Sequence, residues 1–304
     1  MDISLELYKV FYHVAQTQSF SQAAARLFVT QSAVSQAIKN LESQLQAPLF
    51  FRKTRQVTLT PEGKLLLAHV EQALNYVRIA ESKIQEMRNL QAGEIHVGVS
   101  DTICKYFLLP VLAAFNRRYS QVKIRVVNRT SFQILEILRK GGIDLGIVTL
   151  PVESGLSVTP FLPVEDIFVA GDRFTQLRNR RSPLAELQKY PLLLLERGSG
   201  TRSNLEAQLQ AMGLALKAEI ELESVDLLVE FARAGLGIAH VLRESVHHEL
   251  RQNRLFEVKI REKLPLRELG IVTLPQVPVS QAARKLIELL QEESLKKRGK
   301  VRRQ

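Results

Sequence analysis

One cysteine, Cys104, stands in a chain of 304 residues. A disulfide within the chain is thereby excluded, and a cysteine-based metal site has nothing to build on. The six histidines, His13, His69, His96, His240, His247 and His248, show no metal-ligand spacing. No metal and no other cofactor is expected. No run of about 18 apolar residues occurs, so no segment is expected to span a membrane. The opening stretch MDISLELYKVFYHV has acids where a secretory leader needs basic residues, which predicts a cytoplasmic protein. Enzyme signatures are missing as well. Gly198-Ser199-Gly200 is not the G-x-S-x-G nucleophile elbow, no G-x-x-x-x-G-K-[ST] phosphate loop is present, and Gly235-Leu236-Gly237 lacks the rest of a dinucleotide fingerprint. No catalytic residue is assigned.

What is present is basic charge, unevenly placed. The net charge is +11. Residues 1–92 hold ten Lys/Arg and seven Asp/Glu, a net +3, and the tail 295–304 holds six Lys/Arg and no acid, a net +6. The 202 residues between carry only +2. That distribution suits a polyanion-binding head on a nearly neutral body. The tail is poor in apolar residues and expected to be frayed. It either adds nonspecific DNA affinity or merely solubilises the chain.

The head has the pattern of a helix-turn-helix. Leu7, Phe11, Val14 and Ala15 line one face of a helix over 5–19. Ser19 and Ser21 offer cap oxygens for a second helix, about 21–28, whose Ala23, Ala24 and Ala25 permit a close helix crossing. Thr30 caps a third helix. Its buried face is Val34, Ile38, Leu41 and Leu45, and its other face carries Gln31, Ser32, Ser35, Gln36 and Lys39. Gln pairs bidentately with adenine, Ser reaches bases or phosphates, and Lys reaches guanine or phosphate. A polar helix face by itself is equally well a solvated face. After Pro48, Leu49–Phe51 and Val57–Leu59 read as two short strands with Arg52, Lys53 and Arg55 around the turn, a basic wing suited to the minor groove. Thr60 and Pro61 then start a long helix.

The stretch FSQAAARLFVTQSAVSQAIKNLESQLQAPLFFRKTRQVTLTPEG, residues 20–63, resembles the signature of LysR-type transcriptional regulators. The elements A-A-x-x-L, T-Q-x-A-V-S, I-x-x-L-E-x-x-L, L-F-x-R-x-x-R and L-T-x-x-G follow in order. By this resemblance Gln31, Ser32, Ser35 and Gln36 face the major groove of double-stranded DNA, and Arg52 and Arg55 serve the wing. Two positions depart from the pattern: Ser32 stands where proline is common, and Gln46 where glycine is common. The first alters the helix start or adds a base contact; the second bears on the turn after the third helix.

From Glu62 to about Asn89 no proline occurs. Leu66, Val70, Ala73, Val77, Ala80, Ile84 and Met87 step by four and three alternately, the 3.5-residue period of a coiled-coil seam. An amphipathic helix packed on its own domain has the same stripe. Pairing is favoured because a reader of two half-sites must be a dimer. The family resemblance implies a linker helix that pairs two chains and dimers that form tetramers. RNA polymerase is a further partner to consider for a regulator of this kind.

From Gly93 strands alternate with helices, as in a parallel sheet with crossovers. Strands are expected in EIHVGVS, VKIRVVN, DLGIVTL, PLLLLE, AEIELES, GLGIAHVL and LGIVTL near 271; helices are expected over 103–119, 131–140, 204–212, 225–234 and 280–291. Two lobes follow, with chain crossings near Phe161–Val164 and Leu264–Glu268. The fold class is therefore α/β multidomain: a winged helix-turn-helix over 1–61, a linker and dimerisation helix over 62–92, and an effector-binding domain over 93–304. Lobe I takes about 93–162 and 268–294, lobe II about 163–267. This body resembles the two-lobed, periplasmic-binding-protein-like α/β domain of the same family.

Ligands of open α/β sheets bind beyond the carboxyl ends of the strands. That rule selects Ser100, Asp101 and Thr102 after the first strand, Thr149 at the end of the third, and Ser199, Gly200 and Thr201 after PLLLLE. Helix N-termini favour anions, so a small anionic or zwitterionic effector is expected. Asp101 is either a cap or the partner of an amino group. Three other readings are weaker. An enzyme lacks a motif, and an exported solute-binding protein would lack residues 1–92. A redox sensor built on Cys104 could draw on a helix N-terminus to lower the thiol pKa, but it has no second cysteine to resolve it.

Overall fold

The computed structural model describes residues 3–51, 57–88, 93–275 and 277–301. The chain divides into two compact units, residues 1–84 with 140–142, and residues 85–139 with 143–304.

The first unit opens with α1 (Leu5–Thr17), α2 (Phe20–Leu27) and α3 (Gln31–Leu45). Each starts at a hydroxyl cap: Ser4 accepts from the Glu6 amide, Ser19 from Gln22 and Thr30 from Ala33. Such caps satisfy the donors a helix start leaves open. Phe11, Val14, Ala23, Ala24, Val34, Ile38 and Leu41 form the core. The wing strands β1 (Phe50–Phe51) and β2 (Thr58–Leu59) pair antiparallel, each a residue shorter than the sequence pattern. Glu42 is buried, and its Oε1 accepts from the Leu49 amide at 2.7 Å and the Phe50 amide at 3.3 Å. The signature glutamate thus ties α3 to the first wing strand.

Helix α4 (Pro61–Arg88) follows. Thr60, also buried, donates to the Pro48 carbonyl at 2.7 Å and accepts from the Gly63 amide at 3.0 Å. A β-carbon at Gly63 would overlap the Leu49 carbonyl, so the signature glycine allows the helix to lie on the strand. The proposed seam needs revision at its start. Val70 is in the core of the head and Leu66 packs against it, so this turn of α4 serves its own chain. Ala73, Val77, Ala80 and Ile84 are exposed, Val77 at 41% and Ile84 at 55%. The Met87 side chain lies outside the described residues.

The second unit has two lobes. Lobe I contains β3 (Glu94–Val99), α5 (Asp101–Ile103), α6 (Leu109–Arg118), β4 (Lys123–Asn128), α7 (Ser131–Arg139), β5 (Leu145–Thr149) and β6 (Ser157–Val164). A π-helical segment, Cys104–Leu108, joins α5 to α6. After Glu165 the chain enters lobe II: β7 (Asp166–Ala170), β8 (Arg181–Ser182), β9 (Leu192–Leu195), α8 (Gly200–Ala211), β10 (Ile220–Leu222), α9 (Val225–Arg233), β11 (Ile238–Leu242), α10 (His247–Arg251), β12 (Phe256–Glu257) and β13 (Lys259–Ile260). It returns with β14 (Arg267–Thr273) and α11 (Gln281–Val301). The sheet orders are β4-β3-β5-β14-β6 and β10-β9-β11-β7-β12.

The chain passes between the two sheets at Glu165 and again between Ile260 and Arg267, and the sheets are mixed. β14 runs antiparallel to β5 and β6, and β7 antiparallel to β11 and β12. A strand that carries the chain between lobes has no crossover helix in its own lobe. The right-handed βαβ rule therefore does not set its direction. The tail also differs from expectation: α11 runs on to Val301. Ser294 donates to the Phe161 carbonyl, and the Lys297 ammonium lies 4.4 Å from the centre of the Phe107 ring. Lys and Arg are good helix formers, and a basic run continues a helix that is anchored by packing.

Candidate functional site

On the head, α3 projects Gln31, Ser32, Gln36 and Lys39 into solvent, while Ser35 is half-buried. Ser32, at the position of the usual proline, shares a hydrogen bond of 3.0 Å with the cap Thr30. It tightens the helix start. Gln46 adopts φ 51° and ψ 35°, the left-handed region that glycine would fill, and the Ala47 amide closes onto the Glu42 carbonyl at 3.1 Å. The turn after α3 is therefore kept in spite of the substitution. Arg52 and Arg55 lie outside the described residues.

In the body, all seven predicted effector residues come to one cavity of about 310 Å³. Lobe I contributes Ser100, Asp101, Thr102 and Thr149; lobe II contributes Ser199, Gly200 and Thr201. Helix α8 starts four residues before the expected position, which puts Gly200 and Thr201 in its first turn with Ser199 as cap. Ser199 Oγ accepts from the Arg202 amide at 3.2 Å. Asp101 accepts from Asn128 Nδ2 at 3.0 Å, so its carboxylate is oriented by a neighbour on β4.

Several lining residues are additional. Thr130 and Ser131 precede and open α7, and Ser224 caps α9. Thr130 and Gln133 exchange hydrogen bonds as a capping box. The same strand-end rule, applied to VKIRVVN and AEIELES, would have found them. Four helix starts therefore face the cavity: Ser100, Thr130, Ser199 and Ser224. Their free amides and dipole ends favour negative charge.

Arg267 is the addition that pattern reading could not reach. It begins β14, which is antiparallel, so its start and not its end lies beside Thr149. The side chain is 3% exposed. Its guanidinium donates to both Asp166 oxygens, at 2.7 and 2.8 Å, and to Thr149 Oγ1 at 3.2 Å. Behind it His240 is fully buried, and desolvation holds its pKa down at about 4 with a smaller opposing pull from Asp166. Cys104 is half-buried, and burial, then the Asp101 carboxylate, raise its thiol pKa. This is the reverse of what a reactive sensor thiol needs.

Residues 88–295 match the LysR substrate binding domain, and residues 5–64 match the bacterial regulatory helix-turn-helix of the lysR family. The chain is 30% identical over 278 residues to the HTH-type transcriptional regulator CbbR of Rhodospirillum rubrum, covering 90% of this chain and 92% of that one. Full-length OxyR from Pseudomonas aeruginosa has a similar fold, with a TM-score of 0.70 at 22% identity over 96% of this chain and 94% of that one. So does full-length CbnR solved with its target DNA, with a TM-score of 0.70 at 18% identity over 95% of this chain and 99% of that one.

Proposed function

The chain belongs to the LysR family of transcriptional regulators, DNA-binding proteins with an effector-binding domain, and from that premise we propose which residues read DNA and which hold the effector. Gln31, Ser32, Ser35, Gln36 and Lys39 meet the major groove, and Arg52 and Arg55 of the wing meet the backbone and minor groove. The exposed stripe Ala73, Val77, Ala80 and Ile84 pairs two chains, and dimers assemble further into tetramers. The protein works in the cytoplasm and its role requires no catalytic step. Among the described residues no helix is long and apolar enough to cross a membrane.

The effector is a small anionic or zwitterionic molecule held between the lobes by Ser100, Thr102, Thr149, Ser199, Gly200 and Thr201. The observation that carries this reading is the meeting of four helix starts and a buried arginine around one cavity lined from both lobes. Asp101, Glu196 and Glu223, which also line the cavity, suit an amino group on the same ligand. A ligand that touches both lobes binds their closed arrangement better and shifts the population toward it. The shift is limited by the difference in its affinity for the two states.

A thermal-shift screen of carboxylates, amino acids and inorganic oxyanions on the full chain tests the ligand class. Saturable stabilisation by a member of these classes supports it, and stabilisation only by neutral or cationic compounds overturns it. Gel-shift titration tests the head: Gln31→Ala and Ser35→Ala each cost about 1–3 kcal/mol of sequence discrimination, and Arg52→Ala reduces the salt dependence. Wild-type affinity in the triple variant contradicts the assignment.

A further inference from the structure

A second cavity, of about 600 Å³, lies in lobe II beside the chain crossing. Strand β12 pairs with β7 at Val169 and Ala170, and the Val258 amide still reaches the Phe168 carbonyl at 2.8 Å. The chain then leaves β7 to pair, as β13, with β8, and the cavity opens in the angle so formed. Its floor is apolar: Phe168 and Val258 are buried, and Ile260 and Leu264, which pack with them, are half-buried in the wall. Asp166 lines this cavity and Arg267 lines the interlobe cavity, so their buried ion pair is a partition between the two.

The charges around it are unequally matched. The acids of the lining are engaged, though Glu262 only by a neutral amide and Glu165 and Glu257 by one shared guanidinium. Arg243 pairs with Glu165 at 2.5 Å and Glu257 at 2.9 Å, Arg267 pairs with Asp166, and Glu262 accepts from the Leu184 amide at 2.8 Å. The four cations Arg181, Lys259, Arg261 and Lys263 are exposed. Among the described residues none of them has a carboxylate within ion-pair distance. An apolar pocket of this size, ringed by an excess of exposed cations, is complementary to one kind of molecule.

We propose that this cavity is a second ligand site, distinct from the one between the lobes, and that it takes an organic anion with an apolar body. The apolar part lies on Phe168, Val258 and Leu264, and the anionic group reaches Lys259, Lys263 or the two arginines. A bare inorganic anion leaves the apolar floor wet, and an organic cation meets an excess of like charge.

Calorimetric titration of the full chain with octanoate is the test, with acetate and octylamine as controls. Octanoate is expected to bind saturably, and acetate and octylamine are not. Lys259→Glu with Lys263→Glu, both at exposed positions, should weaken octanoate about tenfold or more with an unchanged melting temperature. The neutral pair Lys259→Gln with Lys263→Gln should weaken it less. Thr201→Val, in the interlobe cavity, should leave octanoate affinity within about twofold. Absence of saturable octanoate binding overturns the proposal, as does equal affinity in the Glu variant or equal binding of octylamine. Loss in Thr201→Val with none in the lysine variants also overturns it, by moving the octanoate to the interlobe cavity. Only the last of these outcomes touches the interlobe cavity, and it would support anion binding there; the others leave the effector assignment as it stands.

Discussion

Gly200 of lobe II rests directly on Thr149 of lobe I: a β-carbon at residue 200 would overlap Thr149 Oγ1 and come within 3.4 Å of Ser131 Oγ. The first turn of α8 can approach the end of β5 this closely only because residue 200 has no side chain. Gly200→Ala is therefore a wedge in the cleft. It should weaken effector binding about tenfold or more, since the added methyl pushes apart two loops that the ligand must touch together, and leave ligand-free DNA affinity unchanged. Calorimetry and gel shift read the two quantities separately. Full effector affinity in Gly200→Ala would show that the lobes need not meet there.

Asp166 and Arg267 are 5% and 3% exposed and joined by two hydrogen bonds. Removing one member of such a pair leaves an uncompensated buried charge, at a cost of about 3–5 kcal/mol. Asp166→Leu and Arg267→Met should each lower stability by that order. The double variant should be less destabilised than the sum, because the stranded charge is gone. Strict additivity in urea unfolding would mean that the two groups are not coupled.

His240 has its folded pKa below the ordinary value of 6.5, at about 4. The unfolded chain therefore takes up a proton before the folded one does as pH falls. The stability is fully present above pH 6.5 and is lost progressively between about 6.5 and 4, by about 3 kcal/mol. His240→Gln should flatten this limb of the stability profile. An unchanged slope in that window assigns the acid sensitivity to other groups.

Gln46 occupies the left-handed region without being glycine or asparagine. That conformation costs a side-chain-bearing residue about 1 kcal/mol or more. Gln46→Gly should stabilise the head and slow exchange of the Ile38 and Leu41 amides about fivefold. Faster exchange would show that the Gln46 side chain contributes more than its backbone loses.

Much of this architecture is legible in the residue pattern. Hydroxyl caps at Ser19 and Thr30, and the run of apolar residues on α3, mark helices whose starts are fixed by local chemistry, whereas the pattern passes over the cap at Ser199 and α8 begins before the expected residue. The strand-end rule brings Ser100, Thr149 and Thr201 to one cavity because β3, β5 and β9 belong to the parallel parts of their sheets. Arg267 escapes it, since a strand returning from the other lobe reaches the same edge with its opposite end. The stripe on α4 identifies an apolar face but not its partner. Val70 goes to the core of its own head, while Val77 and Ile84 stay open. Periodicity carries no sign of which neighbour a face will find.

The most direct measurement joins the cavity to the DNA. A ligand found in the thermal-shift screen is titrated calorimetrically into the full chain, wild type and with Thr102→Val plus Thr201→Val, and the same samples are run in gel shift with and without ligand. The double variant is expected to lose ligand binding by about tenfold or more and to lose the ligand's effect on DNA, while its ligand-free DNA affinity equals that of the wild type. Wild-type ligand binding by the double variant would contradict the placement of the effector between the lobes.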